Sequence, residues 1–257
     1  MRNRGTKEGT QEEINLVKTL NKKDNLQMWN TLNLNPENHY AVHVKYQKFG
    51  KINQKKVMPK ADIHIAKGNI SEEILNDKNF YLNEDDIKPF NLIPKQETGI
   101  SVKLKTSKKY QITKMGPNTF KKVFGAYELG AGASIYCLKE KDLIKNNAII
   151  QGWNSNTKRF NEFFENKGLD LPNNSLLDLE TTKIIKNFSN NLIEEKIINN
   201  KEISDFIFQG IGNFEEPFTV HYLYENEILK DSCKIPFRVT TGSGRSKGTY
   251  TIVIKPK

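Results

Sequence analysis

Cysteine is almost missing from this chain: Cys137 and Cys233 are the only two among 257 residues. Two thiols build no disulfide framework, and these lack metal-ligand spacing, so they read as reduced core thiols of a cytoplasmic protein. Long apolar runs are missing as well. No stretch approaches the ~20 residues of a membrane span. Met1-Arg2-Asn3-Arg4-Gly5 leads into polar residues, so no signal peptide is expected. Histidine is sparse, and His39, His43, His64 and His221 are too scattered for a zinc site or a histidine-led catalytic motif. Internal repeats, heptads and low-complexity tails are absent. What remains is a globular composition, 36% hydrophobic and 27% charged, in a chain long enough for one large or two modest domains.

Acidic charge is scarce in two particular places. Residues 1–100 carry a net charge of +3, residues 101–138 carry +6, residues 139–231 carry −5, and residues 232–257 carry +6 with no acidic residue at all. A lysine-rich composition alone would spread the charge evenly. Concentration in two blocks points to a polyanion, since each cation placed on a phosphate releases condensed counterions.

Local patterns predict the elements. Gly9 to Leu20 reads as a helix with Thr10 at the N-cap, Glu13 completing a capping box, and Leu16, Val17 and Leu20 on its apolar face. Tyr40–Tyr46 reads as a strand, Gly50 to Lys56 as a basic hairpin turn, and Ala61–Ile65 and Ser101–Lys105 as further strands. Residues 66–98, polar and acidic with Pro89 and Pro94, read as an insertion or long loop. A helix is expected at Asn118–Phe124, a strand or buried helix at Ala131–Cys137, and a helix at Leu176–Asn199. Phe218–Tyr224, Ile235–Val239 and Tyr250–Ile254 read as strands of a second sheet. A soft boundary near residues 139–150 separates a region 1–140 from a region 141–257.

Chemistry enters where charge interrupts apolar strands. Pro59-Lys60-Ala61-Asp62-Ile63-His64-Ile65 and Gly99-Ile100-Ser101-Val102-Lys103-Leu104 each carry one charged group, Asp62 or Lys103, where a buried strand should carry none. A carboxylate and an ammonium on neighbouring strands suit metal-dependent phosphodiester hydrolysis. The carboxylate holds a divalent cation against the phosphate, and the lysine stabilises developing charge or orients water. Paired as a plain salt bridge, the same two residues would be structural.

This pair resembles the core of the PD-(D/E)XK nucleases, with Pro59…Asp62 as the first half-motif and Ser101-Val102-Lys103 as a degenerate second half. The order of the Glu13 helix, the Asp62 strand, the Lys103 strand, a Ser107-Lys108-Lys109 turn and a C-terminal Gly/Ser/Lys hairpin is similar to small type II restriction endonucleases that cut four-base GCGC or CCGG sites as monomers. The resemblance implies a mixed α/β fold: a mixed β-sheet nuclease core flanked by helices in 1–140, and a β-rich DNA-recognition region in 141–257. It implies a cytoplasmic, monomeric or weakly dimeric enzyme that uses Mg²⁺ to cut double-stranded DNA. Asp62 and Glu13 would ligate the metal, Lys103 would act on the phosphate, and Ser101 would complete the site, with Glu97 an alternative source of the second carboxylate. Lys105, Ser107, Lys108, Lys109 and Gln111, with Arg245, Lys247, Thr249, Thr251 and Lys255, would contact DNA. A structure-selective repair nuclease of the same superfamily and a non-catalytic basic DNA-binding protein are the alternatives.

Overall fold

The computed structural model describes residues 4–52, 54–104, 110–135, 146–169, 171, 179–231, 235–241 and 251–257. In chain order the elements are α1 (Arg4–Asn21), α2 (Leu26–Thr31), β1 (His39–His43), β2 (Lys48–Gly50), β3 (Lys55–Val57), β4 (Ile63–Lys67), α3 (Glu72–Asp77), β5 (Ile93–Pro94) and β6 (Ile100–Lys103). Then come β7 (Thr113–Met115), α4 (Pro117–Phe124), α5 (Tyr127–Ser134), α6 (Asn146–Gly152), α7 (Thr157–Glu165), α8 (Leu179–Asn199) and α9 (Lys201–Gln209). β8 (Tyr222–Glu225), β9 (Ile228–Lys230), β10 (Phe237–Thr241) and β11 (Ile252–Pro256) close the chain. The fold is mixed α/β.

The chain divides into two units that interleave. Unit 1 comprises Met1–Tyr110 and Phe208–Ile235, and unit 2 comprises Gln111–Ile207 and Pro236–Lys257. The boundary expected near residue 140 lies inside unit 2, and the chain changes unit at three other places. Local composition cannot reveal a segment that leaves a unit and returns to it a hundred residues later.

Unit 1 is built on a mixed sheet in the order β1-β4-β6-β8-β9, with β5 paired to β4. All of these pairings are antiparallel except β6–β8, which is parallel and aligns Ser101 with Leu223 and Lys103 with Glu225. Tyr222–Glu225 therefore belongs to the sheet of Asp62 and Lys103, not to the second sheet its sequence position suggested. Alternation along β1 and β4 gives the sheet two apolar faces. One packs Ala41, Ile63 and Ile65 with Leu16, Val17 and Leu20 of α1 and Trp29 of α2. The other packs Tyr40, Val42 and Ala66 with Ile70, Leu75, Leu82, Ile87 and Leu92. Residues 66–98 are thus not a simple loop. Their apolar side chains are sparse enough to hide among polar neighbours, yet they cover one face of β1 and β4.

Helix α1 also departs from expectation. It begins at Arg4, so Thr10 and Glu13 lie inside the helix and no capping box forms there. Nothing from Arg4 to Gly9 stops a helix, since proline is absent and isolated glycines cost only about 1 kcal/mol each. Glu13 is consequently free of backbone duty.

Unit 2 is helical around α5, whose residues from Glu128 to Ser134 are all buried, with a three-stranded antiparallel sheet β10-β11-β7. Its core includes Phe120, Trp153, Phe160, Phe164, Ile185, Ile193 and Ile252–Ile254. Ala131–Ser134, expected as strand or buried helix, is helix. Among the described residues no helix is long and apolar enough to cross a membrane.

Candidate active site

Asp62 and the β6 strand meet at the centre of the unit 1 sheet. The Asp62 N–H donates to Ile100 O (2.9 Å), and the Val44 N–H donates to Asp62 O (2.9 Å), fixing the backbone between two strands. Gly99 makes this entry possible. A Cβ there would stand 1.8 Å from the Thr219 carbonyl oxygen and 3.0 Å from Ala61 Cβ. Only glycine lets β6 start this close to the Asp62 segment.

Along β6 the side chains alternate. Ile100 is a core residue and Val102 packs against the same cluster, while Ser101 and Lys103 share the opposite face. Asp62 Oδ2 accepts from the Val102 N–H (2.8 Å) and from Ser101 Oγ (3.3 Å), and Lys103 Nζ donates to Ser101 Oγ (2.6 Å). Asp62 and Lys103 are linked through the serine hydroxyl; no direct ion pair closes between them among the described residues. Lys103 Nζ also lies 5.2 Å from the centre of the Tyr110 ring, whose phenol is pushed up to about 12 by burial and by the Glu225 charge.

The carboxyl of Asp62 is raised from 3.8 to about 6. Burial is the main cause and the Glu13 charge adds to it, against the lowering effects of Lys103, the Val102 N–H and Ser101. Glu13 is itself held: its Oε2 lies 3.0 Å from His43 Nε2, and His43 Nδ1 lies 2.8 Å from Tyr81 OH. His43 and Tyr81 were not legible as site residues. His43 occupies an apolar strand, where its alternation marks only which face it shares with Ala41.

The structure thus brings Asp62, Ser101 and Lys103 into one network and places Glu13 in electrostatic reach of it. Glu97 lies in the exposed turn before β6, where its N–H donates to Glu216 Oε2 (3.1 Å); no hydrogen bond joins it to Asp62. Gln111, Thr251 and Lys255 belong to unit 2; Gln111 is exposed, and Lys255 pairs with Arg238 on β10. Lys105, Ser107, Lys108, Lys109, Arg245, Lys247 and Thr249, like both cysteines, lie outside the described residues.

No family model matches the chain, and no curated protein does. Among solved structures it is similar to the restriction endonuclease MspI in complex with its cognate DNA. The match has 14% sequence identity and a TM-score of 0.40, covering 94% of this chain and 83% of that one. A superposition this loose has no bearing on which side chains act.

The donor set was tested against a hard divalent cation. Among the described residues no group of three or more His, Cys, Asp or Glu side chains is placed to hold a metal. Magnesium asks for less: one or two carboxylates, with water and substrate phosphate filling the other positions. Asp62 and Glu13 meet that requirement, and the raised Asp62 carboxyl marks a place where added positive charge would be favourable. Oxygen donors without thiolates or free imidazoles suit magnesium better than zinc.

Proposed function

We propose that this protein is a Mg²⁺-dependent endonuclease that hydrolyses double-stranded DNA at a short specific sequence, a type II restriction enzyme of the PD-(D/E)XK kind. One observation carries the reading: the Asp62 carboxylate and the Lys103 ammonium sit on one network bridged by Ser101, not closed on each other as a salt bridge. A purely structural pair would neutralise itself. Here the carboxylate keeps its other oxygen for a metal and the ammonium keeps protons for a phosphate.

Asp62 would hold the cation with help from Glu13. Magnesium held there would supply Lewis-acid polarisation of the phosphate and a bound water of lowered pKa. The Val102 N–H and Ser101 Oγ orient the Asp62 carboxylate through Oδ2. Lys103, positioned by Ser101 and the Tyr110 ring, places its charge on the developing phosphorane or on the attacking water. The partner is duplex DNA, the enzyme acts in the cytoplasm, and it works as a monomer or weak dimer.

Supercoiled plasmid incubated with Mg²⁺ or with EDTA tests this. Discrete fragments are expected with Mg²⁺ alone, and Lys103→Ala should slow their formation about 10²–10³-fold. Structure-dependent nicking would indicate a repair nuclease. Intact binding without cleavage would leave a non-catalytic DNA-binding protein.

A further inference from the structure

Immediately before Asp62 the chain forms a two-stranded ribbon that the site does not use. β2 and β3 pair with Lys48 opposite Val57, Phe49 opposite Lys56 and Gly50 opposite Lys55. The segment from residue 45 to residue 60 contains Lys45, Lys48, Lys51, Lys55, Lys56 and Lys60 and no acidic residue.

The ribbon has two unlike faces. Lys48 turns inward, paired with Glu84 and lying 4.4 Å from the Phe218 ring centre. Beyond β2 the ribbon is pinned: the Lys51 N–H donates to Asn213 O (2.9 Å), the Ile52 N–H to Asn213 Oδ1 (3.0 Å), and Lys51 Nζ lies 2.9 Å from Glu215. The other face looks out. Phe49 is 61% exposed and Met58 51% exposed, with Lys56 exposed directly across from Phe49.

A single exposed phenylalanine needs no explanation. A phenylalanine and a methionine around a lysine, on a ribbon held rigid by its other face, form a preorganised amphipathic patch. We propose that this outward face, Phe49, Lys56 and Met58, is a duplex-DNA contact beside the Asp62 site; the inference rests on the nuclease reading above. The ammonium suits a phosphate, and the ring and thioether suit deoxyribose and base edges. A two-stranded ribbon is also a shape the major groove admits. Lys45, Lys48 and Lys51 are paired with Asp85, Glu84 and Glu215, and the exposed Lys56, in a stretch without acidic residues, supplies the charge that favours a polyanion over a protein partner. Reach agrees as well. Met58 lies four positions before Asp62, at most about 14 Å of extended chain, or about four base pairs along the duplex.

The test is equilibrium binding of the full-length chain to a mixed-sequence duplex in EDTA, read by fluorescence anisotropy over a series of salt concentrations. Lys56→Ala should flatten the dependence of log K on log salt by about one unit. Phe49→Ala should weaken binding about tenfold, in the range of lost aromatic contacts to nucleic acid, with the slope unchanged. Both side chains are exposed, so the variants should melt like the wild type. Lys22→Ala, an equal charge loss just beyond the end of α1, should leave the slope unchanged. Wild-type binding matched by both ribbon variants would overturn this inference and leave the nuclease reading standing. So would an equal slope change in Lys22→Ala, or a Phe49→Ala loss confined to single strands. A wild-type chain that binds no duplex would overturn both.

Discussion

The two units handle buried charge differently. In unit 2, buried carboxylates have partners: Glu128 accepts from Ser155 Oγ (2.7 Å) with Arg159 at 3.6 Å, and Asp205 pairs with Lys201. Its interior also packs ring against ring, with Phe120 stacked on Phe124 at 4.5 Å and set edge-on to Trp153 at 5.3 Å. In unit 1 the Asp62 carboxyl at the sheet centre is raised by burial and by the charge of Glu13 on α1. The buried His64 ring has no hydrogen-bond partner among the described residues, a condition that Trp153 Nε1, Asn161 Oδ1 and Asn190 Oδ1 share in unit 2. Unit 2 is arranged for packing. Unit 1 carries electrostatic cost beside its core, which is where chemistry is expected.

Substitution at Asp62 gives the sharpest break in that contrast. Asp62→Asn keeps an oxygen for the Val102 N–H but loses the charge proposed to hold the metal, so cleavage should fall at least about 10²-fold. Stability should move the other way. Burial holds the folded-state carboxyl up at about 6 against 3.8 in the unfolded chain, so ionisation costs stability progressively from about pH 3.8 and in full above about 6. The variant should therefore gain about 2–3 kcal/mol at pH 7–8, and the gain should vanish as pH falls to about 4. Denaturant melts across that range check the sign, and an equally unstable variant at pH 8 would refute the contrast.

The reverse experiment in unit 2 is Gly132→Ala. A Cβ there would stand 2.3 Å from Ser189 Oγ and 2.5 Å from Phe164 Cζ, and Phe164 is fully buried. Overpacking should lower stability by about 1–3 kcal/mol. Cleavage per folded molecule, measured well below the melting temperature, should stay at the wild-type level.

His64 yields a smaller, pH-limited effect. Burial lowers its imidazole from 6.5 to about 4, so the unfolded chain takes up a proton first as pH falls. Stability present above pH 6.5 is lost towards pH 4, amounting to about 2 kcal/mol at pH 5. His64→Leu should abolish that component of the acid sensitivity, which paired melts at pH 7.5 and pH 5 will show. Smallest of all is Ser101→Ala, whose hydroxyl positions Lys103 but carries no charge. A rate loss below about tenfold is expected, and one as large as that of Asp62→Asn would make Ser101 a direct participant.

Much of the chain was legible where its signals are local. The apolar face of α1, strands at Asp62 and Lys103, and the helices at Pro117–Phe124 and Leu179–Asn199 follow from periodicities of two and 3.6, which the chain carries within a few residues. Three things were decided only by tertiary structure. The parallel pairing of Ser101 with Leu223 joins residues whose separation leaves no local pattern. Residues 66–98 cover a sheet face with widely spaced apolar side chains that no window of the sequence collects. His43, Glu13 and Tyr81 form a chain of hydrogen bonds across a helix, a strand and a loop, and each alone has an ordinary structural reading. Sequence determined which segments could be strands and helices, because that choice rests on neighbouring side chains. Which charges face one another was settled by packing, because it depends on register and burial between distant segments.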